Sequence, residues 1–388
     1  MKLKAIILLL VLGVYLTHIV AGQAGTTAGL CYVAPGGDDG NDCSSVGAAC
    51  ETINAALDEL GCNSTINVAS GTYTGTGSEA VVSITRSIAL SGGWDATFTV
   101  QNGTSTIDGE DARRGIDVNS DLIAFIEQFT ISRGEGDGAA GISNDGTLTL
   151  FECTVKNNND TGNWTSEGGG IRNGETGTLY LFNSTVSDNQ SSSGAGIFNA
   201  GGTVVITNST ISGNSARGTG GGINNLGGTI HINNATISNN SDNEDSVDPI
   251  AGGIHNEPEG TVTLKNSIVA QKNNGGSDCH GTITSSGYNL MGDISRCTFT
   301  PSAGDMVNVD AKLGALKDNG GLTFTHALQM GSPAINRGTP PSCEDHHGSP
   351  LVSDQRFFSR VQRCDIGAFE FQTILEYIFL PITVMTEN

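Results

Sequence analysis

Gly196-Ile197-Phe198-Asn199-Ala200-Gly201-Gly202-Thr203-Val204-Val205-Ile206-Thr207-Asn208-Ser209-Thr210-Ile211 is one copy of a pattern that recurs along the chain. Its opening Gly-Ile-x-Asn returns at Gly141-Ile142-Ser143-Asn144, Gly170-Ile171-Arg172-Asn173, Gly222-Ile223-Asn224-Asn225 and Gly253-Ile254-His255-Asn256, at spacings of 29, 26, 26 and 31 residues. A Gly-containing turn follows each copy, then a Thr (Thr147, Thr178, Thr203, Thr229, Thr261) and an alternating run such as Leu148-Thr149-Leu150. Alternation with period two over so few residues means short strands. A third short strand comes from Asn183-Ser184-Thr185-Val186, Asn208-Ser209-Thr210-Ile211, Asn234-Ala235-Thr236-Ile237 and Asn266-Ser267-Ile268-Val269.

Three strands and three turns in about 26 residues cannot bury their apolar faces alone, so each unit must stack on its neighbours. The expected fold is all-β, a right-handed single-stranded parallel β-helix with a short N-terminal capping helix. Coils about 4.8 Å apart place like residues above like. Ile142, Ile171, Ile197, Ile223 and Ile254 then form one interior column, and Val186, Ile211, Ile237 and Val269 another. Asn144, Asn173, Asn199, Asn225 and Asn256 can pass amide hydrogen bonds from coil to coil. Asn183, Asn208, Asn234 and Asn266 are expected to make a second ladder, with Glu152 in its first rung. Cys153 falls level with Ser184, Ser209, Ala235 and Ser267, where a small residue is required, so it reads as a buried thiol and not a reactive one.

Working outward, Ile66–Gly71, Ser83–Gly93, Ser105–Gly109 and Gly115–Gly134 read as irregular earlier coils. Cys50–Leu60 has the apolar spacing of a short amphipathic helix that would cover the open strand edges of the first coil. At the start, Lys2 and Lys4 precede an apolar run from Ala5 to Val20, followed by the small residues Ala21, Gly22 and Ala24. This is the pattern of a secretory signal, and the run is short for a bilayer-spanning helix. The expected organisation is a signal peptide over 1–24, an N-terminal cap over 25–65, coils over 66–275, C-terminal coils and loops of the same solenoid over 276–371, and a tail over 372–388. No transmembrane span is expected in the mature chain, which reads as a secreted or cell-surface monomer. The tail, with Tyr377-Ile378-Phe379-Leu380-Pro381-Ile382, reads either as a sorting segment or as a last docked strand.

The 388 residues include 55 Gly, 15% charged and 5% aromatic side chains, and carry a formal net charge of −22. Clustered Lys and Arg are missing, which argues against nucleic acid and anionic membrane surfaces. All nine cysteines follow the apolar leader. Cys31, Cys43, Cys50 and Cys62 crowd the amino end, while Cys279 and Cys297, and Cys343 and Cys364, bracket later loops. Eight can pair locally in an oxidising compartment, leaving Cys153, although spacing alone does not fix the pairing. Asn-x-Ser/Thr triplets start at Asn63, Asn102, Asn159, Asn163, Asn183, Asn189, Asn208, Asn234 and Asn239. The repeat itself accounts for several of them.

The Gly-Gly-Gly-Ile-x-Asn and Asn-Ser-Thr-Ile-Ser-Gly-Asn units resemble repeats of exported, pectin-lyase-like β-helix proteins, including those of polymorphic outer-membrane proteins. A closer resemblance is to the bacterial choice-of-anchor Q family. It rests on Ser286-Gly287-Tyr288-Asn289-Leu290, Asp318-Asn319-Gly320-Gly321-Leu322-Thr323-Phe324-Thr325-His326-Ala327-Leu328, Gly331-Ser332-Pro333-Ala334-Ile335-Asn336, Asp354-Gln355-Arg356 and Cys364-Asp365-Ile366-Gly367-Ala368-Phe369-Glu370. Phe357 departs from it, standing where the family pattern has Gly. The resemblance implies a secreted or surface β-helix and brings no common catalytic activity.

Pectin-lyase-like chains also include enzymes, which need a calcium-binding acidic cluster facing a basic residue, or a pair of carboxylates. The Asn-Thr-Asp, Asp-Asp, Gly-His-Gly and Arg-Ile-Lys set of polygalacturonases is missing, since the adjacent Asp38 and Asp39 lie in the cap. Asp242, Glu244, Asp245 and Asp248 are candidate calcium ligands in the insertion between the fourth and fifth repeats, with a solvated loop as the competing reading. Glu344, Asp345, His346 and His347 form a weaker metal candidate. No catalytic residue and no organic cofactor is expected. The expected function is an adhesin-like or envelope-interaction module that binds polysaccharide or cell-envelope components without catalysis; the alternative is a polysaccharide lyase or hydrolase with a divergent site.

Overall fold

The computed structural model describes residues 29–76, 80–160, 166–242, 251–271, 277–360 and 363–372. They form a right-handed parallel β-helix. A representative coil runs through Ile197–Asn199, Thr203–Thr207 and Thr210–Ser212, one strand on each of three sheet faces. Each strand pairs in parallel with its counterparts in the coils before and after: Ile197 with Ile171 and Ile223, Val204 with Leu179 and Ile230, and Ile211 with Val186 and Ile237. The predicted isoleucine column extends from Val82 through Ile116 to Cys279. The predicted valine and isoleucine column extends back through Val155, Ile131 and Ile107 to Tyr73. Their side chains are buried and form one continuous core along the axis.

The amide ladder expected at Gly-Ile-x-Asn is present. Asn144 donates to Asn173 at 2.7 Å, Asn173 to Asn199 at 2.9 Å, Asn199 to Asn225 at 2.8 Å and Asn225 to Asn256 at 2.8 Å. The second expected ladder does not form. Asn183, Asn208, Asn234 and Asn266, with Glu152, occupy the corner between second and third strands at φ of 47° to 52°. This left-handed bend is one that asparagine tolerates better than other residues bearing a Cβ. Glu152 accepts from Gln128 of the preceding coil at 3.1 Å, but asparagine side chains turn away from the column: Asn208 Nδ2 donates to the Ser353 carbonyl and Asn234 Nδ2 to the Glu344 carbonyl. A second ladder exists elsewhere, where Asn158 donates to Asn189, Asn189 to Asn214 and Asn214 to Asn240, each at 2.9 Å. Buried Asn183, Asn189, Asn208 and Asn234 are thus spent on the fold, and their Asn-x-Ser/Thr triplets are products of the repeat.

At the amino end the solenoid starts earlier than the sequence suggests, because Leu30–Val33 already pairs with Thr65–Ala69. The capping helix spans Ile53–Asp58, shorter than expected. The Thr52 hydroxyl accepts from Ala55 N at its start, and Ile53, Ala56 and Leu57 are its buried face. Disulfides Cys31–Cys62 and Cys43–Cys50 hold the cap, and Cys279–Cys297 and Cys343–Cys364 staple the carboxyl half. Four such bridges suit an oxidising, extracellular setting. Among the described residues no helix is long and apolar enough to cross a membrane.

Coils continue through Met306–Val307. From Leu313–Lys317 and Thr325–Leu328, an antiparallel pair, the chain instead doubles back along the outside of the third sheet. Thr185 Oγ1 donates to the Phe324 carbonyl, Thr210 Oγ1 to Gln355 Oε1, and Ala368 N to Thr236 Oγ1, so one return segment touches three successive coils. Gly367 (φ 98°) lies so close that a Cβ there would meet Ile268 and Thr236 at 2.9 Å. The segment is held by two buried ion pairs, Arg356 with Asp354 at 2.6 Å and Arg360 with Glu370 at 3.1 Å. Arg356 also stacks over Phe369, 3.6 Å from the ring centre. Asp354-Gln355-Arg356 and Cys364–Glu370 are therefore a latch.

Two outcomes test this account. Asn199→Ala strands amide partners on both neighbouring coils, each worth about 1–3 kcal/mol, and should lower the urea midpoint accordingly. Arg360→Met breaks the buried pair with Glu370, at a cost of about 3–5 kcal/mol, and limited proteolysis should then cut first within 311–371.

Candidate functional site

The outward columns of the second sheet carry a group of aromatic side chains, of which Phe151 is buried. Register places Ala89, Phe125, Thr149, Tyr180, Val205, His231 and Thr263 in one column, and Ser91, Glu127, Phe151, Phe182, Thr207, Asn233 and Lys265 in the next. Outward positions on these strands alternate with buried Leu148, Leu179 and Ile230, so the strip follows from the same period-two pattern that builds the core. Phe125 and Phe151 stack with centroids 6.4 Å apart, and Tyr180 and Phe182 at 6.1 Å. Phe125, Tyr180 and Phe182 are half-buried.

Two walls border the strip. On one side, Glu127 Oε1 accepts from Ser91 Oγ at 2.6 Å and Gln101 Nε2 at 3.2 Å, and Trp94 Nε1 donates to Ser91 Oγ at 3.1 Å. On the other, the return segment sets Phe357 edge-on to Phe151 at 6.1 Å. The turn survives the departure from glycine at this position: Phe357 adopts φ 67°, a conformation a bulky residue avoids. Further along, His231 stacks with His346 at 6.0 Å and His346 with His347 at 3.7 Å. Burial lowers the His346 pKa, with the neighbouring His347 acting in the same direction.

Of the calcium candidates, Asp242 is buried on Ser241–Asp242, paired with the preceding coil, and its Oδ2 accepts from Ala251 N at 2.6 Å. That carboxylate closes the base of the insertion. Glu244, Asp245 and Asp248 lie outside the described residues. The second cluster does not converge. Glu344 pairs with Lys265 at 2.8 Å, and Asp345 accepts from its own loop at His347 N and Ser349 N. Among the described residues no group of three or more His, Cys, Asp or Glu side chains is arranged to hold a metal. In the cap, Asp39 accepts from Glu51 N and Thr52 N and is a local staple.

Sequence reading missed the aromatic strip. Its residues occupy outward positions that vary from coil to coil, and a repeat search retains only what recurs. The signal was there as Phe125, Phe151, Tyr180 and Phe182, aromatic at positions where other coils have residues as varied as Ala89, Thr149, Val205, Ser91 and Thr207.

No protein-family model matches the chain, and no curated protein sequence matches it. Among solved structures it is similar to pectate lyase Pel9A, at 16% identity and a TM-score of 0.47, over 91% of this chain and 98% of that one. It is also similar to a pectin methylesterase from Aspergillus niger, at 17% identity and a TM-score of 0.34, over 74% and 84%.

Cys153 sits in its predicted place, fully buried beside Ser184, whose hydroxyl accepts from its backbone N–H at 3.0 Å. Burial pushes its thiol pKa up to about 12. Native protein at neutral pH should therefore give no adduct with a thiol reagent, and the same sample in denaturant should give one; modification of the folded protein would refute the assignment.

Proposed function

We propose that this chain is a secreted or cell-surface binding module of the choice-of-anchor Q type, acting as a monomer, whose second-sheet face holds a polysaccharide strand without chemical change. The observation that carries this reading is the aromatic strip, with hydrogen-bonding groups along its edge. Flat rings take the apolar faces of sugar rings by stacking, while Ser91, Gln101 and Glu127 meet hydroxyl groups. A strand crossing several coils meets the strip at successive rungs, which suits an extended polymer better than a small molecule. The strained backbone at Phe357 supports the reading, because a bulky side chain held at φ 67° costs stability that glycine would return. Secretion rests on the leader pattern and the disulfides. An enzyme of the lyase or hydrolase class is the competing reading, and a calcium ion held by Asp242, Glu244, Asp245 and Asp248 would belong with it; no observation favours it over binding.

Retention of the purified chain on immobilised polysaccharides, with and without calcium and with reducing ends and unsaturated products followed in parallel, tests the proposal. Retention without product is expected. Tyr180→Ala and Phe182→Ala should each weaken it by about tenfold, the equivalent of about 1.4 kcal/mol per ring. Phe357→Gly should weaken retention while leaving the thermal midpoint unchanged or raised, which separates binding from folding. Product that appears only with calcium and vanishes in Asp242→Asn would replace this reading with the enzyme.

A further inference from the structure

We infer that the glycan held on the second-sheet face is neutral, with no carboxylate or sulfate on its repeating unit; this rests on the binding reading above. An acidic polysaccharide needs cations on the surface that takes it, and among the described residues the two outward columns offer none that is unengaged. Along the two outward columns from Ala89 to Lys265, the charged side chains are Glu127 and Lys265. Lys265 already pairs with Glu344 at 2.8 Å. His231 is engaged as well, its imidazole stacked on His346 with ring centres 6.0 Å apart.

Arginines on neighbouring coils are engaged too. Arg113 pairs with Glu110, Arg114 with Asp117 at 2.6 Å, Arg133 with Asp108 at 2.7 Å and Arg172 with Glu167 at 3.3 Å. Arg356 and Arg360 are buried in the latch. With a net charge of −22, the field over the surface repels a polyanion before any contact forms.

Glu127 gives the preference a local origin. Its Oε1 is held by Ser91 and Gln101, and its Oε2 has no protein partner among the described residues, beside Phe151 in the same column. A carboxylate with a spare oxygen accepts a sugar hydroxyl well and repels a sugar carboxylate. Both effects act in the same direction, toward unsubstituted sugar rings carrying hydroxyl groups.

The test compares retention of the intact chain on neutral β-glucan, xyloglucan and galactomannan, on acidic polygalacturonate and alginate, and on basic chitosan. Each is run from about 0.15 M to about 1 M ionic strength, over which the screening length falls from roughly 8 to 3 Å. Retention on a neutral glycan should exceed that on polygalacturonate by about tenfold or more at the lower ionic strength and should hold at the higher one. Glu127→Gln should narrow that ratio, since it removes the repulsion from the acidic polymer. Stronger retention on polygalacturonate, or retention only on chitosan that salt abolishes, would overturn the inference while leaving glycan binding in place. Absence of retention on every polymer would overturn the binding reading and this inference with it.

Discussion

Every feature of this molecule depends on one constraint: successive coils must pair in parallel and in register, with about 4.8 Å between them. At that spacing no interior position can change size freely, because the residue above and the residue below bear on it. The isoleucine column through Ile142, Ile171, Ile197, Ile223 and Ile254 shows the apolar form of the constraint. The Asn144 to Asn256 ladder shows the polar form, in which each buried amide satisfies the next. Along the small-residue column a backbone N–H finds its acceptor in the next coil, as Cys153 N does in Ser184 Oγ at 3.0 Å and Ala235 N in Ser267 Oγ at 3.2 Å. Register is thus enforced by identity of side chains and not by loop length. The interval between coils can therefore stretch from 26 to 31 residues without disturbing the core.

Features that repeat were legible in the sequence. The three strands per coil, both apolar columns, the first amide ladder and the buried Cys153 all follow from period-two alternation and a period near 26, and the capping helix from the helical apolar spacing that precedes the coils. The second asparagine ladder was assigned to the wrong column because residue type alone does not distinguish two jobs. Asn208 and Asn214 are both asparagines of one coil, yet the first makes a left-handed corner and the second an interior amide bond. Only the direction of the side chain separates them, and that is set by the corner geometry. The doubling back after Met306–Val307 was invisible for a different reason. The contacts that hold it, such as Gln355 to Thr185 and Arg360 to Asn208, join residues more than 150 positions apart and leave no local pattern.

The candidate site was the least legible part. Motif residues that looked functional, Asp354-Gln355-Arg356 and Cys364–Glu370, are consumed by buried pairs and main-chain bonds within the return segment. Acidic residues that invited a metal reading serve the fold where they are described, Asp242 and Asp345 within their own loops and Glu344 in a pair with Lys265. The face that can recognise a ligand is instead made of the residues in which coils differ from one another, displayed on a backbone that coils share. This division suits a repeat protein, since the core fixes geometry and leaves the outward columns free to specialise.

The return segment also changes how such a molecule comes apart and comes together. A plain stack of coils frays from its ends, each unit leaning only on its neighbours. Here a single strap spans the coils from Asn183 to Asn266, through Thr323, Gln355, Gly367 and Thr339. Loss of any coil beneath it releases contacts along the whole strap, so those coils share one fate. The strap is also made after the coils it covers. The middle coils accordingly stack first on local contacts and gain their final closure only when the distal residues arrive, a high-contact-order step that separates assembly of the rod from its locking.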